Sequence, residues 1–196
     1  MRSAALLALI ALGFGCARLE TRPDPAQPPS ARERERVLSA SAGFEMQGRF
    51  AIRRDGRGGT GHFRWAQSSD ALDLVLWPPG ASGAVRLQAQ GRGACLEGRP
   101  EGTLCGPDAE RLLAEVLEAP VPLRALSWWL RGLRAPGSRS LARWSEGGLP
   151  LEIRQKGWTI RYRAWFEAMS PPMPRLIEAE RGGVRVRVSV ARWSRT

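Results

Sequence analysis

The sequence predicts an α+β protein, a curved antiparallel sheet with helices on its apolar face. Three observations carry this. Apolar and polar residues alternate in several segments, two central segments switch to helical spacing, and alternation then resumes towards the C-terminus. Antiparallel strands with one dry and one wet face produce such alternation, and helices interrupting them must cover the dry face.

The chain opens with "MRSAALLALIALGFGCARLE". Arg2 precedes an apolar run from Ala4 to Phe14, too short to span a bilayer and laid out as a secretory signal. Small Gly15 precedes Cys16, a thiol that a lipoprotein signal would use to take a diacylglyceryl group. The pattern resembles a bacterial lipobox, with one departure: Gly13 stands where Leu is usual, and Leu12 lies one place further back. Residues 1–15 are therefore expected to be a lipoprotein signal peptide, and Cys16 the lipid attachment site. Ala17, in place of an inner-membrane-retaining Asp, points to the outer membrane. Residues 16–29, with four prolines from Ala17 to Pro29, are expected to be the acylated cysteine and a flexible tether. Residues 30–196 are long enough for a single domain.

Ser30 is placed to cap a short amphipathic helix in "SARERERVLSASA". The period then becomes two. Phe44, Met46, Phe50 and Ile52 share one face, and Phe63 and Trp65 follow the turn "RDGRGG", which reads as a hairpin. Alternation continues through Leu72, Leu74 and Leu76, then Val85, Leu87 and Ala89, with the loop "WPPGASG" between the two runs. In "ACLEGRPEGTLC", Cys95 and Cys105 are equidistant from Pro100, so a hairpin turning there sets them opposite one another. An oxidising compartment favours a disulfide; two small apolar core residues are the other reading.

"PDAERLLAEVLEAPVP" is a helix with Asp108 as cap and a stripe of Leu112, Leu113, Val116 and Leu117. A shorter helix follows in "PLRALSWWLRGL". Strands return with Trp158, Ile160 and Tyr162 against Thr159, Arg161 and Arg163, and with Val184, Val186, Val188 and Val190 against Arg185, Arg187 and Ser189.

The formal charge is +11, and Arg supplies all but one of the 30 basic residues. Export removes nucleic acid as a partner. Anionic lipid or an acidic protein remains, alongside plain dispersal over solvated faces. His62 is the only histidine, paired carboxylates do not stand out, and "DGRGGTG" joins two strands without opening a helix. No enzyme, metal or cofactor is expected. The eight tryptophans either fill the core or line a cavity for a long apolar ligand.

Taken in order, "GRFAI", "GHFRWAQ", "LDLVLWPPGASGAVRLQA", "DAERLLAEVLEAPVPLRALSWWLRGL", "GWTIRYRAW" and "PPMPRLIEAERGGVRVRVSVARW" resemble the LolB family of outer-membrane lipoprotein receptors, from about Phe44 to Trp193. The resemblance implies a half-open barrel covered by helices, with an apolar cavity that accepts the acyl chains of lipoproteins from a periplasmic LolA-like carrier. Exposing a 16-carbon chain would cost on the order of 12 kcal/mol at about 0.8 kcal/mol per CH₂, so chains must pass between dry cavities. By resemblance the cavity is lined by Phe63, Trp65, Leu74, Leu76, Leu113, Leu117, Trp129, Trp158, Ile160 and Tyr162. The family's loop after the second long strand carries an exposed Leu; Pro79 stands there, and Trp77, Pro78 and Pro79 are expected to form the tip that touches outer-membrane phospholipid. A monomer anchored in the outer membrane and facing the periplasm follows. The alternative is a structural or assembly lipoprotein whose Arg-rich face holds a partner or lipopolysaccharide.

Overall fold

The computed structural model describes residues 27–41, 43–77 and 83–195. The expected leader, Cys16 and the loop residues Pro78 and Pro79 lie outside the described residues. Helix α1 (Pro29–Ser39) starts with a proline in its first turn, where a missing N–H costs nothing, and Pro28 occupies the cap position. Ser30 is therefore not the cap. Gln27 is already buried, donating to Glu35 Oε2 at 2.8 Å and accepting from Arg134 at 2.9 Å, so packing begins inside the stretch expected to be tether.

Strands β1 (Phe44–Arg54), β2 (Arg57–Gln67), β3 (Ala71–Trp77), β4 (Val85–Gln90), β5 (Gly93–Glu97) and β6 (Leu104–Gly106) form one antiparallel meander. Helices α2 (Ala109–Leu117) and α3 (Leu123–Trp129) follow. A second meander comprises β7 (Ser140–Trp144), β8 (Pro150–Gln155), β9 (Trp158–Phe166), β10 (Met173–Arg181) and β11 (Val184–Arg195). Pairing of β1 with β11 joins them into one sheet of order β6-β5-β4-β3-β2-β1-β11-β10-β9-β8-β7. The sheet stays open, with β6 and β7 as its edges, and the segment carrying α2 and α3 connects those two edges. This is the expected α+β half-barrel. Strands β7, β8 and β10 are additions to the elements that alternation marked.

Local sequence explains the geometry. Asp55 and Gly56 both have positive φ, the two-residue turn whose twist suits a hairpin, so β1 and β2 run to Arg54 and Arg57 and the turn is tighter than "RDGRGG" implied. The β8–β9 and β10–β11 turns, at Lys156-Gly157 and Gly182-Gly183, have the same signs and lie at the same end of the sheet. At Gly48 the β1–β11 register shifts, and a Cβ there would strike the Ser189 carbonyl. Cys95 and Cys105 are cross-strand partners joined by a disulfide, which ties the three-residue edge strand β6 to β5.

The end of α3 is fastened by polar side chains. Arg34 of α1, 6% exposed, donates to the carbonyls of Arg131 (2.6 Å), Gly132 (3.0 Å) and Pro172 (3.0 Å). Arg131 donates to Ser127 O and Leu38 O, both at 3.1 Å, and its guanidinium lies near the rings of Phe44 and Trp128. Tyr162 donates to Trp129 O at 2.8 Å. Gln155 accepts from Trp129 Nε1 and Ala135 N, each at 2.9 Å, and donates to Ala135 O at 2.7 Å. These bonds satisfy carbonyls that a helix end leaves without intrahelical partners. Among the described residues no carboxylate bonds either arginine; burial pushes Arg34 down to about 10 and lowers Arg131 as well, leaving Arg34 charged at neutral pH. Arg34→Met leaves buried carbonyls unpaired and is expected to lower stability by about 3 kcal/mol, read as a lower urea midpoint at unchanged slope.

Candidate functional site

The inner face of the half-barrel collects the alternating apolar residues into one core, from Leu96 on β5 to Ile153 on β8. Helix α2 lies over the β4–β6 side. Asp108 caps it, accepting from Glu110 N at 3.0 Å and Arg111 N at 3.1 Å, and Leu112 and Leu113 point into the core. Its C-terminal neighbour Glu118 is left-handed, with φ 51°, which turns the chain towards α3. Beyond the cap, its polar ties among the described residues are few: Glu110 accepts from Arg124 N at 3.0 Å and Arg54 reaches Glu118 O at 3.4 Å. Apolar packing holds α2 on the sheet, whereas buried polar bonds hold the end of α3.

Between the sheet and helices α2 and α3 is an apolar cavity of about 50 Å³. Phe63, Trp65, Leu74, Leu76, Leu113 and Leu117 line it, joined by Met46, Phe50, Ile52, Val121, Leu126, Leu130, Val186 and Val188. The hairpin between β1 and β2 and the end of α2 frame a wider recess of about 610 Å³, and it shares Phe50, Ile52 and Leu117 with the cavity. Arg54, Asp55, Arg57 and Glu118 rim this recess. A dry chamber thus adjoins a polar mouth at the hairpin end.

Trp129, Trp158, Ile160 and Tyr162 are not on that wall. Trp129 and Trp158 pack with ring centroids 6.2 Å apart, Ile160 is completely buried, and Tyr162 packs on Trp165 at 5.3 Å. Burial pushes the Tyr162 hydroxyl well above its ordinary pKa, so it stays a donor to Trp129 O. These four fill the other half of the core, where Gln155 and the arginines fasten α3. The tryptophans are mostly core: Trp65 lines the cavity, Trp193 packs on Phe44, Trp165 lies under Arg34, and Trp77 is exposed.

Sequence reasoning identified β1 and β11 as half-dry strands but did not place their side chains on the cavity wall. The signal was present: Met46, Phe50 and Ile52 share a face with one another, and register sets Ile52 opposite Val186 and Phe50 opposite Val188. Arg34 and Arg131 were hidden among the other arginines. For Arg34 the clue is its place on the buried face of α1 with Ala31 and Leu38. Among the described residues no group of His, Cys, Asp and Glu could hold a metal ion, and no helix is long and apolar enough to cross a membrane.

The model of the family described as Outer membrane lipoprotein LolB matches residues 42–193. A protein named Outer-membrane lipoprotein LolB from Alkalilimnicola ehrlichii is 33% identical, with the match covering 89% of this chain and 88% of that protein. One of the same name from Pseudomonas savastanoi pv. phaseolicola is 30% identical over 98% of this chain and 96% of its own. Among solved structures, a DUF1329 family protein from Desulfovibrio piger superposes with a TM-score of 0.52 at 10% identity, covering 85% of this chain and 90% of that one, a likeness of fold alone. The half-barrel with its helix-covered apolar chamber is thus the fold of a known lineage, and the chain belongs to the LolB family of outer membrane lipoproteins.

Proposed function

We infer that this protein is a lipid-anchored outer-membrane receptor that takes lipoproteins from a LolA-like periplasmic carrier and passes them to the membrane. The observation that carries the reading is the apolar cavity between the sheet and helices α2 and α3, adjoined by a mouth at the hairpin end. Its residues suit acyl chains and offer no catalytic group, so the reading is transfer without covalent chemistry on the cargo.

At about 50 Å³ the cavity is far below the roughly 300–1,000 Å³ of ordinary ligand sites. An acyl chain therefore enters by displacing a wall. Helix α2 is the wall that moves, because its grip on the sheet is apolar and an acyl chain replaces that grip in kind; α3 stays, because lifting its end would strip partners from buried carbonyls. Leu113 and Leu117 then exchange contacts with the sheet for contacts with the chain. With no nucleotide outside the cytoplasm, direction rests on affinity: the receptor holds the chain better than the carrier, and the bilayer better than the receptor.

Cys16 is the anchor in this reading, and Trp77, Pro78 and Pro79 are the tip that enters the phospholipid. Trp77 is 43% exposed at the end of β3, an aromatic ring suited to a membrane interface. The structural or assembly-lipoprotein reading needs no chamber and is not favoured by any feature of the site.

Three expectations follow from this arrangement. Leu117→Glu puts a charge on a half-buried lip and should cut acyl-chain uptake about tenfold or more at small cost in stability, whereas Ile160→Ala in the packed half should cost about 4 kcal/mol; fluorescent fatty-acid binding and urea unfolding separate the two. When the chain lacking residues 1–16 meets a carrier loaded with an acylated lipoprotein, the cargo should move to it. In the acylated protein, Trp77→Ser with Pro79→Glu should leave acceptance intact and block release into vesicles. Cargo that stays on a demonstrably active carrier would overturn the receptor reading, and unchanged release would overturn the tip.

A further inference from the structure

The wet face of the sheet is charged unevenly. Across β8, β9 and β10, acids and bases are matched: Glu152 pairs with Arg154 and Arg161, Glu180 with Arg161, and Glu178 with Arg163. Across β1 and β11 the wet face is matched, among the described residues, only at Arg187, 3.9 Å from Glu178. Register places Arg53 directly opposite Arg185, and like charges so placed repel. Among the described residues neither has an ion-pair partner; Glu180, on the other side of Arg185, bonds Arg161 at 2.8 Å. Arg49 lies on the same face of β1, also exposed and unpaired among the described residues.

An aromatic side chain completes this wall. Register aligns Arg49, His62 and Trp77 in one row across β1, β2 and β3, and all three are exposed. Arg53 and Arg185 lie next to the hairpin turns, at the end where the cavity mouth opens. Two unneutralised cations beside the mouth, with Arg49 and the exposed indole four residues further along the same wall, match what a bilayer surface recognises: phosphate-bearing anionic headgroups for the guanidinium groups and the interfacial zone for the ring.

We propose that the outer wall of β1 and β11, through Arg49, Arg53 and Arg185 beside Trp77, docks on anionic phospholipid headgroups and turns the cavity mouth to the bilayer. Membrane attraction then offsets the repulsion between Arg53 and Arg185. The proposal rests on the receptor reading for its choice of neighbour, but its test does not depend on cargo transfer.

The chain from residue 16 with Cys16→Ser, which lacks only the acyl group, is floated with vesicles of phosphatidylethanolamine alone or mixed with phosphatidylglycerol. Binding should require phosphatidylglycerol and weaken with salt. Arg53→Glu with Arg185→Glu should lower it about tenfold or more, while Arg139→Glu with Arg143→Glu, the same charge change at the far edge strand, should lower it less than about threefold. Fatty-acid binding, measured in parallel, reports on the cavity and so separates failure of the receptor reading from failure of the wall. Equal losses in both double variants would reduce the effect to net charge and overturn the proposal. So would unchanged vesicle binding in Arg53→Glu with Arg185→Glu, and if that variant lost affinity for the loaded carrier instead, the wall would belong to a protein partner.

Discussion

Two buried arginines that bond main-chain carbonyls hold the connector in place across the inside of the half-barrel. Arg34 and Arg131, with Tyr162 and Gln155, donate to main-chain carbonyls at and beyond the end of α3 and draw α1, α3 and the start of β10 together. The segment between the two free sheet edges has no ladder of its own, so these side chains supply the hydrogen bonds that a strand would have found in a neighbour. A guanidinium suits the task because its rigid fork of donors serves several carbonyls at once while its faces stack on Trp165, Phe44 and Trp128.

Fastening one half of the interior decides what the other half can do. Around Trp129, Trp158 and Ile160 the core is closed by polar ties and ring contacts. Around Leu113 and Leu117 it is closed mainly by apolar contact, and the cavity lies there. Hydrophobic contact is non-directional, so an acyl chain can take the place of a helix face without leaving a polar atom unpaired. The mouth, the exposed Trp77 and the unmatched arginines lie towards the hairpin end, which gives the half-barrel a receiving and releasing end built on tight two-residue turns.

Much of this was legible in the sequence, for reasons that also mark where legibility stopped. Alternation revealed the inner faces of β1 to β4, β9 and β11, because those strands keep apolar residues on the core side. It missed β7 and β8, where Leu141 is 71% exposed and Leu151 also faces solvent, so outward apolar residues blur the period. It missed β10, whose apolar residues are interrupted by Pro174 and a register shift. Period two reports which face is dry, not whether that face meets packed side chains or a void. Phe63 and Ile160 therefore look alike in sequence and differ in the structure. Arg34 escaped notice because its value lies in carbonyls nearly a hundred residues away at Arg131 and Gly132.

The division between a pinned α3 and a releasable α2 is tested most directly by amide hydrogen exchange on the acylated protein, with and without an acylated lipoprotein bound. Cargo should speed exchange of the α2 amides from Leu112 to Leu117 and leave those from Leu130 to Leu133 unchanged. Equal exposure of both segments, or full retention of α2 protection in the loaded protein, would contradict it.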